Sequence, residues 1–279
     1  MSISIFACKK EGNAPAIENI SPSTEKIAVG QYIVLKSAIA GEAAQLTYKW
    51  TSSDGLQSAN KEPGWIPKKA GYQTISLEIA QGNKSTTKNA VFNVLEPDFR
   101  LGLWGNTRAE IQLYESKAGR KLLNTDPAVL IYGGDEGNAF DGYVTADNIL
   151  INAATLYSVD YSSNPSLYVR DYSLQLQKLQ SKYGDPKENR VYYKNQTVKD
   201  ELDANPGLVG SAILAGDVQF KATWEKQGNS INLMLYKNTD SNAIVFGISY
   251  APLSTGVASV KNEYRSVVLE RLHRSLLLL

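Results

Sequence analysis

The chain has 279 residues, 43% hydrophobic and 20% charged, with 29 basic against 28 acidic side chains and a formal net charge of +1. This balance suits one or two folded domains. It excludes a disordered polyelectrolyte and an electrostatic nucleic-acid binder, which needs a basic face, and no run of about 20 apolar residues exists to form a membrane-spanning helix.

Residues 1–16 hold the only cysteine, Cys8, which follows Ile5-Phe6-Ala7 and precedes the polar stretch Lys9-Lys10-Glu11-Gly12-Asn13. A short apolar run that ends in a small residue before cysteine resembles the lipobox of bacterial lipoproteins. The resemblance implies cleavage before Cys8, acylation of its thiol and a membrane partner reached through that lipid. Lys9 in place of an acidic residue is similar to outer-membrane sorting, which implies an outer-membrane lipoprotein on the periplasmic side. The segment departs from a secretory signal, because no basic residue precedes Cys8 and the apolar stretch is shorter than roughly 7–15 residues. Two readings stay open: a signal that starts upstream of Met1, and an incidental free cysteine. One cysteine forms neither an internal disulfide nor a zinc cluster.

Residues 17–96 show a period of two. Leu46, Tyr48 and Trp50 alternate with polar neighbours, as do Ile75, Leu77 and Ile79, and the stretches between them carry Ser53-Asp54-Gly55, Pro63-Gly64 and Gln81-Gly82-Asn83. Alternation marks half-buried strands and these short segments mark turns, so the segment reads as a small antiparallel sandwich. Tyr48-Lys49-Trp50 running to Asp54-Gly55, with Ala70-Gly71-Tyr72 before Ile75–Ile79 and a last strand at Val91 to Val94, resembles the PKD-type immunoglobulin-like module. Thr51-Ser52-Ser53 replaces that module's usual Asp-Phe-Gly. The resemblance implies an extracytoplasmic β-sandwich acting as a spacer or binding module. Trp50 reads as core, and Trp65, in a loop flanked by glycine and proline, reads as a possible ligand contact.

Residues 97–253 change pattern after Glu96-Pro97-Asp98. Thr107 and Glu110 form a capping box ahead of Ile111, Tyr114, Ala118 and Leu122 at helical spacing. Strands follow at 129–132, 139–144 and 149–159, the last with a break. Tyr168, Tyr172, Leu176, Leu179 and Tyr183 form the stripe of a second helix, which Gly184 and Pro186 stop. A three-strand meander then runs through Val218–Trp224, Ile231–Leu235 and Ile244–Tyr250. The order predicts an α+β domain with two helices packed on an antiparallel sheet. Leu103-Trp104-Gly105 and the closing Lys182-Tyr183-Gly184 are weakly similar to the β-lactamase-inhibitor-like envelope domains. Asp200, Glu201 and Asp203 read as a solvated acidic turn. Residues 254–279 permit a helix with a loose apolar face; domain docking, partner binding and a non-native extension all stay open for this tail.

The chemistry is sparse. His273 is the only histidine, no nucleophile motif or phosphate loop occurs, and no residue pattern calls for a cofactor. Asp135, Glu136 and Asp141 lie in a glycine-rich stretch that reads either as a hairpin turn or as a weak calcium candidate. The sequence therefore predicts a non-enzymatic, lipid-anchored envelope protein. Its PKD-like spacer presents a domain that binds a protein or glycan ligand. The alternatives are a carboxylate-dependent glycan hydrolase and an inhibitor or assembly partner of another envelope protein.

Overall fold

A computed structural model of the protein describes residues 15–40, 45–124, 126–253, 271–272 and 274–275. Cys8 and most of the C-terminal tail, including His273, lie outside the described residues. The described chain is largely β-sheet and forms two compact units, Met1–Pro97 and Asp98–Leu279.

The first unit is a two-sheet β-sandwich. Its strands are β1 (Ala16–Pro22), β2 (Ile27–Ala28), β3 (Ile33–Ala40), β4 (Thr47–Ser52), β5 (Gln57–Ser58), β6 (Gly64–Trp65), β7 (Gly71–Gln81) and β8 (Lys84–Leu95). Three of them make a sheet in the order β1-β3-β6, and five make a sheet in the order β2-β8-β7-β4-β5. Alternation sets the inward face: Ile75, Leu77 and Ile79 of β7 are fully buried with Trp50 of β4 against Ile33, Leu35 and Trp65. Each such aliphatic side chain contributes about 1.5–3 kcal/mol on burial. β7 and β8 form a long hairpin in register from Gly71↔Val94 to Gln81↔Lys84, turned by Gly82 at φ +61°. A side chain there would strain the backbone.

The second unit opens with helix α1 (Arg108–Lys117) and strands β9 (Val129–Gly133), β10 (Ala139–Ala146) and β11 (Ile149–Tyr157). Then come α2 (Ser166–Tyr183), β12 (Glu188–Tyr193), α3 (Gln196–Ala204), α4 (Val209–Ala215), β13 (Val218–Lys226), β14 (Asn229–Lys237) and β15 (Ile244–Pro252). All seven strands join one antiparallel sheet in the order β12-β13-β14-β15-β11-β10-β9. The capping box forms, with Thr107 Oγ1 accepting from the Glu110 amide at 3.2 Å and Glu110 accepting from the Thr107 amide at 2.7 Å. Tyr168, Tyr172 and Leu179 of α2 pack on Ala222, Trp224, Leu233 and Phe246 of the sheet. Helix α2 ends at Gly184, whose φ of +79° is open to glycine.

Three expectations are corrected. The unit has four α-helices among the described residues where two were expected. Asp200, Glu201 and Asp203 lie on α3, not in a turn: Asn195 caps the helix by accepting from the Val198 amide at 2.9 Å. Lys199 pairs with Asp203 one turn on, and Val198 and Leu202 give the short apolar stripe that seats the helix. The break expected within 149–159 is absent, since β11 runs unbroken to Tyr157 and only its register with β10 shifts, between Val144 and Thr145.

Helices cover one face of this sheet. On the other, Val129, Ile131, Val144, Leu156, Met234 and Val245 cluster with Leu272 of the tail. Gly142 makes room for that leucine, since a Cβ at this position would collide with the Leu272 side chain.

Candidate functional site

Trp65 is not a ligand contact. It is 1% exposed, and its indole N–H donates to the Asp54 carboxylate at 3.0 and 3.2 Å. Asp54 also accepts from the Lys68 amide at 2.9 Å and from the Ser52 hydroxyl. Burial raises its pKa, but these donors outweigh burial and hold the carboxyl below its usual value. The glycine and proline around Trp65 suggested an exposed loop; instead β6 carries the ring into the sandwich.

Asp135, Glu136 and Asp141 do not converge on a cation site. Asp141, 2% exposed, accepts on Oδ2 from Arg120 at 2.9 Å, stands 2.9 Å from Arg100 as an ion pair, and accepts on Oδ1 from Thr155 Oγ1 at 2.6 Å. Arg100 also holds both oxygens of Asp135 at 3.0 Å. Glu136 turns away to Lys178 of α2, at 2.7 Å. A calcium ion would have to displace two guanidinium groups, and among the described residues no three acidic, histidine or cysteine side chains gather as a metal site. The weak calcium candidate is thereby corrected.

These pairs belong to a buried network beneath α1. Arg120 bridges Asp141 to Glu115, at 2.9 Å, and Glu115, fully buried, accepts from the Tyr143 hydroxyl. Burial first, and then the Glu115 charge, push the Tyr132 hydroxyl up to about 12 and raise that of Tyr143 well above its usual range. Arg100 sits at φ +51° in the tight turn from Phe99 to Gly102, a backbone state uncommon outside glycine. Sequence alone does not pair residues so far apart in the chain. The arrangement engages these groups within the protein, apart from the buried Arg100 Nε, which finds no acceptor among the described residues.

An open site lies at the other end of the sheet. Strand β12 is an edge strand, paired to β13 from Glu188↔Thr223 to Tyr193↔Val218. Its alternate residues Val191 and Tyr193 turn toward the helices. With Val218 and Phe220 of β13, Val169 of α2 and Val209 of α4 they line a cleft of about 490 Å³. The lining is mainly apolar, and its one charged residue among the described ones, Arg170, is paired to Asp171 at 2.8 Å. Helix α4 bounds it by close approach: a Cβ at Gly210 would collide with the Pro165 backbone at the start of α2. Tyr172 packs at a tilt on Phe220, ring centroids 5.2 Å apart, and its buried hydroxyl has no hydrogen-bond partner among the described residues. Sequence reading missed this cleft because β12 is too polar and exposed to show a strand period, because the acidic residues of α3 read as a turn, and because α4 gave no reading.

Trp104 and Trp224 are both engaged internally. Trp224 donates to the Gly184 carbonyl at 2.8 Å, and Trp104 donates to Asn229.

No family model matches the chain, and no curated protein does. Among solved structures, the chain is similar to the PKD1 domain of Vibrio anguillarum Epp. That match has 24% identity, covers 31% of this chain and 100% of that one, and has a TM-score of 0.27. It is also similar to a structure described as showing the promiscuous specificity of carbohydrate-binding modules from the β-sandwich superfamily, at 12% identity. There the match covers 88% of this chain and 94% of that one, with a TM-score of 0.29.

Proposed function

We propose that this is a non-catalytic binding protein of the bacterial cell envelope, tethered by a lipid on Cys8. In this reading the first unit is a PKD-like spacer, and the second takes a protein ligand in the cleft between α2 and β12. The cleft carries the reading: about 490 Å³ of mainly apolar lining lies beside a sheet edge. Such a pairing suits an extended segment with apolar side chains, whose backbone adds to the edge while its side chains fill the cleft. Leu208, 47% exposed beside the cleft residues Gly207 and Val209, adds apolar surface for a partner to cover. The ion pairs and hydrogen bond that hold both oxygens of Asp141 favour binding over hydrolysis, because an acid or base needs a proton or lone pair free for substrate.

Two measurements test this. In a pull-down from an envelope extract, a bound protein should be lost on Val191→Asp or Val169→Asp while the fold, by circular dichroism, is kept. A partner retained by both variants would place binding elsewhere. Mass spectrometry of the full-length gene product should find acyl chains on Cys8 that disappear in Cys8→Ser. Unmodified, soluble protein would remove the tether.

A further inference from the structure

β12 has a second face. Glu188, Arg190 and Tyr192 alternate with the cleft residues and therefore lie on the side of the sheet away from α2. Register sets a polar row there: Glu188 opposite Thr223, Thr223 opposite Asn232, and Asn232 opposite Ser249. Beside it, Arg190 lies opposite Lys221. A groove of about 440 Å³ opens over this corner, lined by Glu188, Arg190, Lys221, Thr223, Glu225 and Asn232 among others.

Its charges are close to balanced. Lys187 pairs with Glu225 at 2.8 Å, but Arg190 and Lys221 stand 3.5 and 3.8 Å from Glu188, beyond a good hydrogen bond. Glu188 thus keeps acceptor capacity, and Arg190 and Lys221 keep donors, so a hydroxyl at the mouth of the groove can accept from a cation and donate to the carboxylate once the side chains part slightly. Neither a polyanion nor a cation finds an unopposed field here. Tyr192, 40% exposed, adds an apolar surface: its hydroxyl donates to Glu188 Oε1 at 2.8 Å, so the ring lies lengthwise along β12 toward the groove. One side chain supplies a flat face and a polar tip.

We propose that this groove binds a neutral oligosaccharide, distinct from the ligand of the apolar cleft. The C–H face of one sugar stacks on Tyr192. Its hydroxyls, or those of the next sugar, bond to Glu188, Lys221 and Arg190 over the Thr223–Asn232 floor.

The test is affinity electrophoresis and calorimetry of the full chain with cellohexaose, mannohexaose, chitohexaose and their soluble polymers, and with polygalacturonate as an acidic probe. At least one neutral ligand should bind. Tyr192→Ala should weaken it by roughly tenfold or more, as one stacking face is lost. Glu188→Gln and Lys221→Met should weaken it too. Val191→Asp, on the opposite face, should leave sugar affinity unchanged while abolishing the protein contact, so the two sites fail separately. Binding by polygalacturonate alone, by no probe at all, or equally by Tyr192→Ala and the unaltered protein overturns the proposal.

Discussion

The two halves of the seven-stranded sheet solve the same packing problem in different ways. Under α1, the core between β9, β10 and β11 takes in charges, with Arg100, Arg120, Glu115 and Asp141 interlocked and Tyr143 hydrogen-bonded into the set. Under α2, the core is Tyr168, Tyr172, Leu179, Ala222, Leu233 and Phe246, with no ion pair among them, and the sheet edge beside it stays open. Buried charges are costly without partners, so the first half closes on ion pairs drawn from several elements, although Arg100 Nε is left without an acceptor among the described residues. The apolar half is held without ion pairs among its core side chains, and its packing stops at the sheet edge, where the cleft opens.

The sharpest way to break this contrast is Asp141→Ala. It removes the buried carboxylate that both guanidinium groups share, leaving Arg100 with Asp135 and Arg120 with Glu115, and should cost about 1.5–3 kcal/mol in urea unfolding. A cost below about 1 kcal/mol would mean that solvent reaches the network and that the first half is not closed.

A matched pair of substitutions reads the two halves with one chemistry. Tyr143→Phe removes a donor from the buried Glu115 carboxylate and should destabilise by about 1–3 kcal/mol. Tyr172→Phe removes a buried hydroxyl without a partner among the described residues, and should be neutral or stabilise by up to about 1 kcal/mol. Thermal melts of both variants check this, and equal destabilisation would erase the distinction.

The smallest effect concerns acid. Hydrogen bonding from Arg100 holds the Asp135 carboxyl below its usual value. Because the folded value is the lower one, the stabilisation is present above the unfolded value near 3.8 and is lost as pH falls below that and through the folded value. Asp135 is 82% exposed, so solvent screens the pair and the effect is slight. Asp135→Asn should flatten the acid limb of the pH–stability curve for the first half. An unchanged limb would assign acid sensitivity elsewhere.

Elements whose face is fixed by near neighbours were legible in the sequence. Ile75, Leu77 and Ile79 announced β7, the Thr107–Glu110 box announced α1, and the Tyr168–Tyr172–Leu179 stripe with Gly184 announced α2. What stayed hidden depends on distant partners. Trp65 looks exposed until Asp54 is brought to its indole nitrogen, and Asp141 looks like a turn carboxylate until two arginines from outside the hairpin reach it. Strand β12 reads as polar coil because only one of its faces packs, and then only at its C-terminal end. Helix α3 was missed because its three acidic residues outweighed the two-residue stripe of Val198 and Leu202.

The alternation of β12 has a consequence for how this corner of the protein can change over generations. Val191 and Tyr193 serve one side of the sheet, Glu188, Arg190 and Tyr192 the other, and the strand carries both sets in six residues. Substitutions can reshape either surface without touching its opposite, so the two can diverge independently. Insertion or deletion of a single residue cannot, for it would turn every side chain over and exchange the polar and apolar sets together.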